Sequence, residues 1–141
     1  MKMFSRLVLL TMLFTGLILA GCGGPTGTEL TGDARDQTLE YIDPIADTLL
    51  DGLKAKDYAA FSQDFNDEMR KAIDETKFNA LYSQLNDQIG AYQSRSISKV
   101  TDFDPNVTAE YAGVFSKTDK VNIVITVTKA EPHKVTGLYF R

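Results

Sequence analysis

The hydrophobic period of this chain changes once, at Gly90, and that switch limits the fold more than any other feature. Before it, apolar residues recur at helical spacing; after it, they alternate. From Asp33, Leu39, Ile42, Ala46, Leu49, Leu50 and Leu53 share one helical stripe. Pro44 interrupts the stripe. Either it kinks one long helix, or Asp43 caps a second helix with Pro44 at its first position, where a missing N–H costs little. Lys54 and Lys56 lie at the C-terminal end, where the helix dipole favours positive charge. Asp57 reads as the N-cap of a short helix bearing Tyr58, Phe61 and Phe65, and Asn66 or Asp67 caps a further turn through Met69 and Ile73. A last helix over about residues 75–89 presents Phe78, Leu81, Tyr82, Leu85 and Ile89, with Gly90 as its C′ residue.

Beyond Gly90 the strand pattern takes over. Val121, Ile123, Ile125 and Val127 alternate with Asn122, Val124, Thr126 and Thr128, which predicts a strand with one strongly buried face and Val124 and Thr126 on the other. Polar turns at 117–120 and 130–134 flank it. They join it to strands at 107–116 and 135–141, and an earlier strand is expected at 92–101. Three to four helices followed by a curved four-stranded antiparallel meander make an α+β domain over residues 33–141.

The N-terminus is of a different kind. Lys2 and Arg6 precede a 14-residue apolar and small-residue core, residues 7–20, and small residues lead to Cys22. That is secretory-signal anatomy, and the core is shorter than the about 20 residues of a spanning helix. Leu19-Ala20-Gly21-Cys22 resembles the lipobox of prokaryotic lipoproteins at every position. The resemblance implies a signal peptide at 1–21, cleavage between Gly21 and Cys22, diacylglycerol with palmitate-type chains on the Cys22 sulfur, and an extracytoplasmic, envelope location. Two plainer roles compete, a small buried hydrophobe or a free thiol past an ordinary cleavage site. A lone thiol in an oxidising compartment is a liability, whereas two acyl chains give stable anchoring. Residues 22–32 are rich in glycine and threonine and read as a flexible tether with a reach of roughly 15–20 Å.

Without the signal the chain keeps 13 bases against 19 acids, a net of −6. That opposes nucleic acid as a partner. Residues 33–89 carry 13 acids and 6 bases, a solvated acidic helical face on the simplest reading.

Asp57-Tyr58, Phe61, Phe65 and Met69, then Phe78, Leu81, Leu85, Gly90 and Tyr92, and the closing Val135-Thr136-Gly137-Leu138-Tyr139-Phe140 together resemble domain of unknown function family 3887. The resemblance covers about residues 36–141. It implies a cystatin-like, nuclear-transport-factor-type cone, whose mouth can host a small ligand. In some relatives such a domain precedes an α/β-hydrolase, an activity this chain is expected to lack. Tyr58, Phe61, Phe65, Tyr82, Tyr111 and Tyr139 are the candidate lining of the mouth, with simple core filling as the other reading.

Other chemistry finds less support. Asp102-Phe103-Asp104-Pro105-Asn106 begins like a calcium loop, but Val107 and Gly113 stand where glycine and a bidentate acid are required; an Asp-Pro turn is expected. Asp43, Asp47 and Asp51 share a helix face if the helix runs through Pro44, and such like charges need water, a cation or a basic partner. His133 is the only histidine, so His-based metal sites and triads lack partners. One enzymatic reading, isomerase- or dehydratase-like, pairs Asp64 as base with Tyr82 or Tyr139. No cofactor, metal or catalytic residue is assigned. The expected role is a lipid-anchored domain that binds a small apolar ligand or an envelope protein, with a small cone enzyme or a dimerisation module as alternatives.

Overall fold

In a computed structural model the described residues are 26–141; the expected signal peptide at 1–21 and the expected lipid site at Cys22 lie outside them. Four helices cover one face of a five-stranded antiparallel sheet, an α+β arrangement of the expected cone-like kind. The first helix, α1 (Gly32–Ala55), is continuous through Pro44. The reason is energetic. Ile42, Leu49, Leu50 and Leu53 are each buried to within 4 %, and four such side chains contribute roughly 8 kcal/mol. An internal proline costs about 3 kcal/mol. Pro44 itself faces solvent, the side on which a bent helix tolerates a lost bond.

Helix α2 (Tyr58–Phe61) starts under Asp57, whose carboxylate accepts the Ala60 N–H at 3.2 Å. Asn66 caps α3 (Asp67–Ala72) in the same way, at 2.8 Å from the Met69 nitrogen. Asp74 caps α4 (Glu75–Gln88), and Gly90 follows it at φ +88°, a conformation open to glycine. Gly52 has a separate role: a Cβ there would meet the Phe61 backbone, with its Cα only 2.8 Å away. The missing side chain is what lets α2 fold back onto α1.

The sheet is a meander. β2 (Tyr92–Phe103), β3 (Asn106–Phe115), β4 (Thr118–Thr128) and β5 (Val135–Phe140) pair with their sequence neighbours. Val107, Ala109, Tyr111 and Phe115 of β3, with Val121, Ile123, Ile125 and Val127 of β4, meet the helices. Val124 and Thr126 occupy the opposite face, as the alternation requires. A fifth strand, β1 (Thr28–Glu29), pairs with β2 at Asp102 and Thr101. The stretch 22–32 is therefore not tether throughout: Thr28 and Glu29 extend the sheet, Leu30 donates its N–H to the Val100 carbonyl at 2.8 Å, and α1 begins at Gly32. Two residues in a Gly/Thr-rich run carry no periodic signal; their pairing comes from the open edge of β2.

Candidate functional site

The six candidate mouth residues do not surround a common opening. Phe61, Phe65 and Tyr111 are within 2 % of complete burial. Phe61 packs on Phe65 at 5.2 Å and on Phe78 at 4.6 Å between ring centroids, and Tyr58 lies 5.6 Å from Phe78. The Tyr58 hydroxyl donates to the Ile73 carbonyl at 3.0 Å. Tyr82 borders a nook of about 20 Å³ beside Leu53 and Phe115, with Lys56 over its ring. That volume holds about one water. Tyr139 is 58 % exposed on the far face of the sheet. In a domain of this size aromatic residues are needed to fill the core, and here Phe61, Phe65 and Tyr111 do so, with Tyr58 and Tyr82 packed at its margin and Tyr139 outside it.

The acidic stripe of α1 has found its basic partner inside the molecule. Arg95 of β2 donates to Asp43 Oδ1 at 2.9 Å, to Asp47 Oδ1 at 2.8 and 3.1 Å, and to the Asp43 carbonyl at 3.1 Å. The guanidinium lies 4.3 Å from the centre of the Tyr111 ring, and the Tyr111 hydroxyl donates to Asp43 Oδ1 at 2.9 Å. The Arg95 side chain is only 11 % exposed. Burial, then the Asp43 carboxylate, pushes the Tyr111 phenol far above its usual pKa, and burial is also the first cause of the raised Tyr92 pKa. This cluster therefore holds a neutral phenol and a fixed cation. It is a clamp between helix and sheet, and Asp51 remains exposed on the same helix.

None of the other three polar candidates assembles a reactive centre. Asp64 stands 3.7 Å from Lys134 Nζ with its side chain 25 % exposed, rather than in an apolar pocket with Tyr82 or Tyr139. At the β2–β3 turn, Lys129 Nζ bonds Asp102 Oδ2 at 2.9 Å and Asp104 Oδ1 at 3.0 Å, so a lysine supplies the charge a calcium ion would. His133 stacks on Tyr41 at 3.9 Å and its Nδ1 is 3.0 Å from the Thr128 carbonyl. No group of three or more metal-ligating side chains occurs among the described residues.

An opening of another kind lies where β5 passes α4. β5 is an edge strand, and only its first residue is covered: Val135 exchanges backbone bonds with Asp64 and Asn66. Arg141 and Asn122 exchange both bonds across the β4 pairing, at 2.9 and 2.8 Å. The antiparallel alternation then turns the N–H and C=O groups of Leu138 and Phe140 outward, away from β4. Beside this edge run two adjoining hollows of about 280 Å³ each, which share Leu85, Gln88 and Phe140. Ile73, Leu81, Leu85, Leu138 and Phe140 give the groove its apolar walls. At its far end stand Lys120 and Arg141, with no ion-pair partner among the described residues. Leu81 and Leu85 were legible as helix-face residues and Leu138 and Phe140 as strand residues. The sequence placed 135–141 as the last strand of a meander; what it did not reveal is that α4 stops short of covering this edge, which leaves the groove open.

A family model described as protein of unknown function (DUF3887) matches residues 46–138, about two thirds of the chain. No curated protein and no solved structure matches it.

Proposed function

The chain belongs to the DUF3887 family, for which no activity is described, and from that premise we propose a lipid-anchored envelope domain that binds an extended protein segment along β5. The Cys22 lipid holds the domain at the membrane, and the groove between β5 and α4 takes the partner. One observation carries the binding reading: Leu138 and Phe140 offer free backbone groups directly beside an apolar groove. An added strand gains its affinity from those main-chain bonds and its specificity from alternate side chains set into the groove. Lys120 and Arg141 at one end favour an acidic residue there. The filled interior counts against a ligand held inside the cone.

The test uses short peptides of alternating valine and threonine, ending in two aspartates or in two lysines, titrated against the full chain by fluorescence anisotropy. The acidic-ended peptide should bind more tightly. Leu138→Lys should abolish binding, and the Lys120→Glu, Arg141→Glu double variant should reverse the preference. Equal binding of both peptides, or binding untouched by Leu138→Lys, refutes the site. A concentration-dependent dimer lost in Leu138→Lys would assign the edge to a second copy instead.

A further inference from the structure

β1 does more than lengthen the sheet: it fixes where the chain leaves the domain. Thr28 pairs with Asp102, at the end of the sheet that carries the β2–β3 turn and the β4–β5 loop. Gly27 is packed beneath Phe103; a Cβ there would lie 2.5 Å from the ring. Gly27 lies five positions after Cys22, and five fully extended residue steps span at most about 18 Å. β2 runs for 12 residues away from this point, or roughly 40 Å.

We infer that the end of the sheet bearing Phe103 faces the lipid surface, with the Phe103 ring as the contact residue. The inference rests on the reading of Cys22 as the anchor. Among the described residues, Phe103 and Tyr139 are the two large apolar side chains exposed beyond a third, at 37 % and 58 %, and of these Phe103 is the one that stands within reach of the anchor. The two acids beside it are both held by Lys129, at 2.9 and 3.0 Å, which offsets their repulsion from anionic headgroups. Lying flat instead would set the polar flank of β2 against the membrane, with Gln93, Ser94, Ser96, Ser98 and Lys99 all exposed. An aromatic ring at headgroup depth is the more favourable contact. Upright, the domain carries the Lys120–Arg141 end of its groove away from the bilayer, where a partner can enter.

The chain contains no tryptophan, so single-tryptophan variants report one position each. Phe103→Trp and Tyr139→Trp are made in the full chain, produced in a bacterial host that processes lipoproteins, and reconstituted into phosphatidylethanolamine–phosphatidylglycerol vesicles with brominated acyl chains. Tryptophan at 103 should lose about half its emission, as expected for an interfacial ring, while tryptophan at 139 keeps nearly all of its own. Vesicle-bound protein with the two positions quenched alike overturns the orientation alone. A purified chain whose intact mass shows no lipid on Cys22, and which stays off the vesicles, overturns the anchor and the orientation with it.

Discussion

Replacing Arg95 by methionine removes the guanidinium while leaving most of the stem that covers Tyr111, and the structure sets the expected size of the loss. The Asp47 carboxylate is 62 % exposed, so that pair contributes about 0.5 kcal/mol, as surface pairs do. Asp43 is 39 % exposed and also accepts from Tyr111. A charged hydrogen bond of about 1.5–3 kcal/mol, discounted for that exposure, leaves about 1.5 kcal/mol. The cation over the Tyr111 ring adds about 1 kcal/mol because it is largely desolvated. The total is about 3 kcal/mol, and for a domain of this size that lowers Tm by roughly 10–15 °C. Thermal unfolding followed by circular dichroism at neutral pH reads this directly. A double-mutant cycle with Asp43→Asn should return a coupling of about 1 kcal/mol or more. Arg95→Lys should recover only part of the loss, since an ammonium cannot bond Asp43 and Asp47 with one planar fork. A Tm within about 3 °C of the parent, or a coupling near zero, would refute the clamp.

The alkaline limb of stability should depend on Tyr111. Its folded pKa is raised, so its stabilisation is present below the ordinary tyrosine pKa of about 10 and is lost as pH climbs above it; urea midpoints of Tyr111→Phe should fall less steeply there than those of the parent. The acid limb should depend on Asp102, held low first by its bond to Lys129. Its contribution is present above about pH 4 and fades as pH falls through the folded pKa, so Lys129→Met should flatten the parent's acid transition, seen by fluorescence or dichroism. Gly52→Ala sets two rules against each other. Helix propensity favours alanine by about 1 kcal/mol, but overlap with the Phe61 backbone should dominate and destabilise by about 1–3 kcal/mol; a Tm at or above the parent's would show that α2 can move away.

Local chemistry carried most of the fold. Asp57 and Asn66 were readable as caps because their side chains act within three residues, and Gly90 because glycine most readily takes the left-handed turn that ends many helices. The strands were readable because β4 alternates strictly over the burial of Val121, Ile123, Ile125 and Val127. What escaped depends on distance along the chain. Arg95 lies 52 residues from Asp43, and only its parity with Ile97 on the inward face marks it as a cation needing a partner. Pro44 could not be resolved by local rules, since the burial that overrides it comes from the sheet. The aromatic residues were legible as inward-facing, but whether inward means lining or filling depends on how closely helix and sheet approach. For Phe61, Phe65 and Tyr111 they approach to contact.

The order of strands in the sheet also bears on how the molecule assembles. β2 to β5 follow one another in sequence and in space, so each hairpin can close a short loop as soon as its strands exist. β1 is the exception: Glu29 meets Thr101 only after the whole helical half has been laid down between them. Closing so long a loop for two residues of pairing returns little, which makes β1 the last part of the sheet to form and the first to open. When it opens, the next fixed point is the start of α1 at Gly32, and the sequence separation from Cys22 to the first packed residue grows from five positions to ten. On the proposed reading of Cys22 as a lipid anchor, the same two residues act as a latch on the distance between domain and anchor, one that a pull on the domain would release before anything in the core gave way.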